Sequence, residues 1–321
     1  MFDRMSDARN DTDAKGAGAG PAAPFDRATL MRRRARAAAH PETADFLLAR
    51  VADDLGERLE IVQRRFPLAA NIGAHHGLLS RRLRAVPSVG LVIDVDPVAA
   101  MAARCDGPCV VADEEALPFA DASLDLVASA LALQLVNDLP GTLLQIRRAL
   151  KPDGLLLAGL LGGDTLIELG EAWLIAEEEI TGGASPRVAP SIAVRDLGGL
   201  LQRAGFALPV VDSETITVAY SSPLALMRDL KAMGASNVLA ARRRVPVRRD
   251  VLARACEVYA ERHARADGKV VATFEVLTVT AWAPDPSQQK PLKPGSASMR
   301  LADALGTTEL GADATEPPRK R

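Results

Sequence analysis

Short apolar runs and longer mixed stretches alternate along this chain. The apolar runs Leu68 to Ile72, Val89 to Val95, Cys109 to Ala112, Leu124 to Ala130 and Leu155 to Leu161 read as buried strands. Between them Leu78 to Arg84, Pro97 to Arg104 and Leu139 to Leu150 read as helices. Strands that alternate with helices predict an α/β fold: a parallel sheet with helices on both faces and right-handed crossovers. Ahead of the first strand, Phe46, Leu47, Val51, Leu55, Leu59 and Val62 recur at helical spacing, and Pro41 suits a first helical position. Beyond residue 162, Thr165 to Ile180 and Arg195 to Ala204 predict helices, the second stopped by Gly205. Val210 to Tyr220 predicts a strand, residues 222–268 an excursion of two or three helices, and Lys269 to Trp282 a final strand. A long excursion between neighbouring strands allows the last one to lie antiparallel.

This pattern divides the chain into four parts. Residues 1–24 are polar and then Gly/Ala/Pro-rich, which predicts disorder. Residues 25–66 form a basic helical segment, 67–283 the main domain with its excursion 222–268, and 284–321 an extended or disordered tail. Hydrophobic residues make up 48% of 321, enough for a sizeable core, but aromatics are 3%, so Leu, Val and Ala must fill it. A net charge of −2 and a pI of about 6.1 give no whole-chain signal for nucleic acid. No apolar run is long enough to span a bilayer. Cys105, Cys109 and Cys256 are too few for a disulfide scaffold and point to a reducing compartment, the cytoplasm in a bacterium. The N-terminus lacks the apolar core of a signal peptide, and Asp3, Asp7, Asp11 and Asp13 argue against a transit peptide. Arg27, Arg32, Arg33, Arg34 and Arg36 read as a solvated face, with an acidic partner or lipid surface as the sharper alternative.

The candidate chemistry sits at the strand ends. After Leu68 to Ile72 comes the turn Gly73-Ala74-His75-His76-Gly77, then a helix. A strand, a glycine turn and a helix N-terminus suit a nucleotide-like ligand, because glycine admits close backbone approach and the helix start offers unpaired N–H groups. Asp94 near the end of the second strand can accept from both hydroxyls of a ribose. Asp113 after the third can accept from an exocyclic adenine amine, and the Glu114 N–H can reach a ring nitrogen.

These stretches, with Ala112 to Phe119, Leu124-Asp125-Leu126-Val127 and Leu150 to Gly154, resemble the successive motifs of class I S-adenosylmethionine-dependent methyltransferases. The resemblance implies a Rossmann-like, seven-stranded, mostly parallel sheet with its last strand antiparallel. It also implies S-adenosyl-L-methionine as cofactor, held by Asn71, Gly73, Ala74, His75, Gly77, Asp94, Val95, Asp113, Glu114 and Ser129.

Val136 to Gly141, Gly162 to Leu166, Gly182 to Arg187, Asp196 to Phe206, Phe25-Asp26-Arg27, Met233 to Asn237 and Ser287 to Pro291 narrow it. Together they are similar to a methyltransferase-like family of respiratory complex I assembly factors. That family implies modification of a protein arginine in the complex I iron–sulfur subunit, peripheral contact with the membrane through complex I, and a mitochondrial matrix location in eukaryotes. Malonyl-carrier-protein methyltransferases are more distant relatives. A carrier-protein or small-molecule methyltransferase and a non-catalytic assembly chaperone are the alternatives.

The chain departs from the usual acid-x-Gly-x-Gly-x-Gly turn at two positions. Asn71 replaces the acid and His75 the middle glycine. Losing a charge-assisted hydrogen bond costs about 1.5–3 kcal/mol, roughly ten- to a hundredfold in affinity. The His75 ring can crowd the cofactor or hydrogen-bond its carboxylate. The chain has four histidines, and the adjacent pair His75 and His76 on one turn points in different directions, so no metal site is expected. For catalysis the candidates are Asn137 and Asp138 after the fourth strand, Asp164 after the fifth, and Arg187. Asp164 is expected mainly as an N-cap, and Arg187 either binds a carboxylate or pairs with Glu177-Glu178-Glu179.

Overall fold

The computed structural model describes residues 23–40 and 44–289, with positions 299, 303, 306 and 307 beyond them. The expectations for residues 1–22, for a helix start at Pro41 and for most of the tail lie outside the described residues. Residues up to Pro284 form one compact unit. Its strands are β1 (Phe66–Ile72), β2 (Val89–Val95), β3 (Cys109–Val110), β4 (Leu124–Ala130), β5 (Leu150–Leu161), β6 (Ala207–Tyr220) and β7 (Val270–Trp282). They make a single sheet in the order β3-β2-β1-β4-β5-β7-β6. β1 to β5 run parallel, and β7 is antiparallel to both β5 and β6. Leu124, Leu126, Val127 and Ala128 of β4 are all fully buried, which is why that strand reads as a continuous apolar run: helices cover both of its faces.

One face carries α2 (Phe46–Ile61), α3 (Leu78–Arg84), α6 (Ile167–Thr181), α8 (Pro223–Ala232) and α9 (Arg249–His263), joined through Val51, Leu55, Leu59, Leu83, Trp173 and Tyr259. The other carries α5 (Leu139–Ala149) and α7 (Val194–Arg203), joined through Leu143, Ile146, Leu197 and Leu201. Gly159 in β5 lets α2 press close, since a Cβ there would overlap the Val51 side chain. Among the described residues no helix is long and apolar enough to cross a membrane.

Three expectations change. The arginine cluster ahead of α2 is itself a helix, α1 (Arg27–Ala37), capped by the Asp26 side chain accepting from Thr29 N at 2.9 Å. Arginine and alanine dominate it, so no broad apolar stripe marks it in the sequence. The helix expected over 97–104 shrinks to α4 (Ala99–Ala102), because Val98 is extended and donates its N–H to Asp96. The third strand is only two residues long.

Candidate functional site

The site lies where β1, β2, β3 and β4 end. The turn after β1 is pinned by backbone: Gly73 N and Ala74 N donate to Val95 O at 2.8 and 3.0 Å. Val95 therefore serves through its carbonyl, and Ala74 is buried. Gly73, His75 and Gly77 all take positive φ (69°, 52° and 78°), and Gly77 is the N-cap of α3. A Cβ on Gly73 would overlap Ala132 Cβ, so glycine is needed there for the close crossing with the loop after β4.

Parallel pairing sets Asn71 opposite Asp94 and Ile72 opposite Val95. Asp94 thus lies one register inside the strand end and is fully buried. Its Oδ1 accepts from Asn71 Nδ2 (3.0 Å) and from Ser80 Oγ, and its Oδ2 from Arg84 Nη2 at 2.9 Å. Both oxygens are thereby engaged inside the fold. Asp96, two residues on and equally buried, accepts from His75 N and Val98 N, each at 2.8 Å. Sequence reasoning passed over Asp96, which ties the turn after β1 to the end of β2. Asn71 keeps its Oδ1 buried and without a hydrogen-bond partner.

The solvated-face reading fails for Arg27 and Arg34, which point inward from α1. Arg27 Nη2 donates to Asp113 Oδ1 at 2.7 Å and to Glu114 Oε2. Arg34, 4% exposed, places Nη1 3.4 Å from Glu114 Oε1 and Nη2 3.5 Å from Asp96 Oδ2. Its Nη2 also lies 2.6 Å from His75 Nδ1. His75 Nε2 sits 3.1 Å from Ala130 O. A carbonyl only accepts, so Nε2 carries the proton and Nδ1 is left to accept from Arg34. Burial, and then the neighbouring Arg34 charge, hold the imidazole well below its usual range and keep it neutral. Burial also raises the Asp96 carboxyl, with Arg34 and two backbone N–H groups opposing it. The signal for these arginines was the Phe25-Asp26-Arg27 motif, but nothing in its spacing tells which arginines turn inward.

The remaining predicted residues are largely structural. Ser129 is buried and donates to Ile72 O at 2.7 Å, tying β4 to β1. Asn137 clasps the Phe25 backbone, accepting from its N–H at 2.8 Å and donating to its carbonyl at 3.2 Å. Asp138 caps α5 by accepting from Gly141 N. Asp164 is no N-cap: Leu166, at φ 58°, starts α6, and Asp164 N donates to Glu275. Arg187 stacks 4.6 Å from the Trp173 ring centre and pairs with Glu177. Burial of Cys105 and Cys109 pushes both thiols above their usual range.

Burial alone would raise the Glu177 carboxyl, but Arg187 and the Ser185 N–H and hydroxyl outweigh it and hold it below the ordinary 4.5. A depressed folded pKa means stability that is present above the unfolded value and lost as pH falls through the folded one. Urea midpoints of Glu177→Gln should therefore lie below wild type at pH 7, and the gap should narrow as pH drops below about 4.5. A gap that stays constant between pH 7 and pH 3 would rule out this pairing as the source of the stability.

Beside the turn opens a cavity of about 370 Å³. Leu30, Leu47, Leu135, Leu169, Trp173 and Phe274 make much of its wall, with Arg34, His75 and Arg187 also on it. Asp45 is the one acid among its lining residues. Among the described residues no three His, Cys, Asp or Glu side chains group to hold a metal ion.

Comparison with known proteins agrees with this architecture. The family described as "Methyltransferase domain" matches residues 70–158. The YcgJ protein of Bacillus subtilis superposes with a TM-score of 0.52 at 14% identity, over 72% of this chain and 98% of that one. That likeness speaks for the fold alone. Arginine-hydroxylase NDUFAF5, mitochondrial, of Danio rerio is 37% identical over 90% of this chain and 92% of its own length. Malonyl-[acyl-carrier protein] O-methyltransferase of Halorhodospira halophila is 37% identical over 82% of this chain and 90% of its own. Identity at that level over nearly the whole of both proteins makes this chain a member of the class I methyltransferase-fold family that includes the NDUFAF5 arginine-hydroxylases.

Proposed function

We propose that this protein binds S-adenosylmethionine in the hollow at the ends of β1 to β4 and modifies an arginine side chain of a respiratory complex I subunit during assembly. The observation that carries the cofactor is the convergence of Asn71, Asp96 and Asp113 at the ends of three neighbouring strands. The donor set fits the group. The unpartnered Oδ1 of Asn71 can accept from an ammonium, Asp96 can hold a sugar diol, and Asp113 can accept from an amine of the base. When bound, the cofactor supplies a methyl group on a sulfonium, a good leaving group. The chain's part is then positioning: the turn holds the ligand, and the apolar cavity keeps water from the reacting atoms. The NDUFAF5 relatives are named arginine-hydroxylases, and similarity to them along most of the chain supports an arginine as target.

A second reading, methylation of a carrier-protein carboxylate, draws on the cavity wall. Two arginines and a single acid line it, which suits an acyl carboxylate better than a guanidinium. Deleting the gene and weighing both products separates the two. The first reading expects loss of complex I activity and a cluster-bearing subunit lighter by one oxygen atom or one CH2 unit at an arginine. Normal activity and an unchanged mass would defeat it. Methyl transfer to a malonyl carrier protein by the purified chain would establish the second.

A further inference from the structure

Asp96, Asp113 and Glu114 are each paired with an arginine, and both of those arginines come from one short helix. Asp113 and Glu114 meet Arg27; Asp96 and Glu114 meet Arg34. Asp96 and Glu114 are both fully buried, and two carboxylates so placed need a counter-charge in the ligand-free protein. The Arg34 fork supplies it from the same space that a ligand's hydroxyls must enter to reach Asp96.

The attachment of α1 is of a different kind. Beyond those arginines it is held at both ends. Met31 and Ala37 pack with Ala38 on Val98 and Met101, Arg104 Nη2 donates to Ala39 O at 2.9 Å, and a Cβ on Gly234 would come within 3.3 Å of Arg34 Cα. The N-terminal end carries its own set of contacts. Asp26 N donates to Val238 O at 2.8 Å, Arg242 Nη2 donates to Asp26 Oδ2 at 2.8 Å, and Phe25 and Leu30 pack on Val238 and Leu239. Of α1, the Arg27 and Arg34 guanidiniums are what meet these acids.

We propose that α1 is an internal clasp: Arg34 and Arg27 act as surrogate ligands that close the nucleoside hollow, and cofactor binding must displace them. The inference rests on the reading that this hollow takes a nucleoside. It adds that affinity is set partly by how firmly α1 is docked. A ligand pays for the closed state in proportion to how rarely the clasp stands open, and weakening the clasp recovers that loss.

Calorimetry on the full chain tests this, with S-adenosylhomocysteine and with 5′-methylthioadenosine, which lacks the amino-acid end. Arg34→Gln should bind both about tenfold more tightly than wild type. Arg242→Gln, which loosens the N-terminal attachment of α1 and contacts none of Asp96, Asp113 and Glu114, should shift both affinities the same way by a smaller factor. It also carries the test should Arg34→Gln fail to fold. Amide exchange in α1 of the wild type should quicken when either ligand is added. If Arg34→Gln loses affinity for S-adenosylhomocysteine while 5′-methylthioadenosine is unaffected, Arg34 is a receptor for the ligand's carboxylate. The clasp is then overturned and the cofactor reading stands. Unchanged affinities for both ligands overturn the clasp alone. Absence of binding by all three proteins overturns the cofactor reading and the clasp together.

Discussion

Asp94→Ala is expected to unfold the protein far more readily than wild type, by about 3–5 kcal/mol, the cost typical of removing one partner from a buried charge pair. The carboxylate is fully buried and is the shared acceptor of Asn71 Nδ2, Ser80 Oγ and Arg84 Nη2. Alanine removes the acceptor of Ser80 Oγ and the counter-charge of Arg84, while Asn71 Nδ2 keeps Ser80 Oγ at 2.8 Å and Arg84 Nη2 keeps Val92 O at 3.3 Å. Asn71 and Ser80 are themselves almost wholly buried, so water cannot replace what they lose. Domains of this size have about 5–15 kcal/mol in total, so the loss would be a large share, and Tm should fall on the order of 10 °C. Urea unfolding monitored by circular dichroism measures it. A midpoint equivalent to less than about 0.5 kcal/mol below wild type would mean that Asp94 does not hold this corner together. A ribose-binding role would give the opposite result, with weaker ligand binding and little change in stability.

Gly73→Ala should be nearly as damaging, for two separable reasons. The residue has φ 69°, and an alanine there costs about 1–2 kcal/mol. Its new methyl would also overlap Ala132 Cβ, a side chain with no torsion through which to yield, which adds about 1–3 kcal/mol. Gly182→Ala is the control. Its φ of 67° is almost the same, but nothing lies within 4 Å of the added Cβ, so only the backbone part should appear. Ala132→Gly in the Gly73→Ala background should recover the overlap part, beyond what the two single changes predict when added. If Gly73→Ala and Gly182→Ala prove equal in denaturant midpoint, the close crossing between the β1 turn and the loop after β4 contributes nothing.

The elements most legible beforehand were those whose signal is local. β4 announces itself because burial on both faces leaves no polar position to interrupt Leu124 to Ala130. The last strand could be expected antiparallel because a long excursion precedes it, and β7 does pair that way with β5 and β6. The pairing of Arg187 with Glu177 was open as one of two roles, and the structure selects it. Helix α1 was hard to see, since a helix of arginine and alanine carries little hydrophobic periodicity and is held by ion pairs whose partners lie 62–87 residues away.

Composition, periodicity and turn residues determined that this chain folds as an α/β sheet and pointed to a candidate site at the ends of its first strands, because those properties depend on neighbours in the chain. Which partners Asp94 and Asp96 take, and which of five arginines turn inward to meet the acids, was decided by the pairing register and by the docking of α1. Both are contacts between segments far apart in sequence.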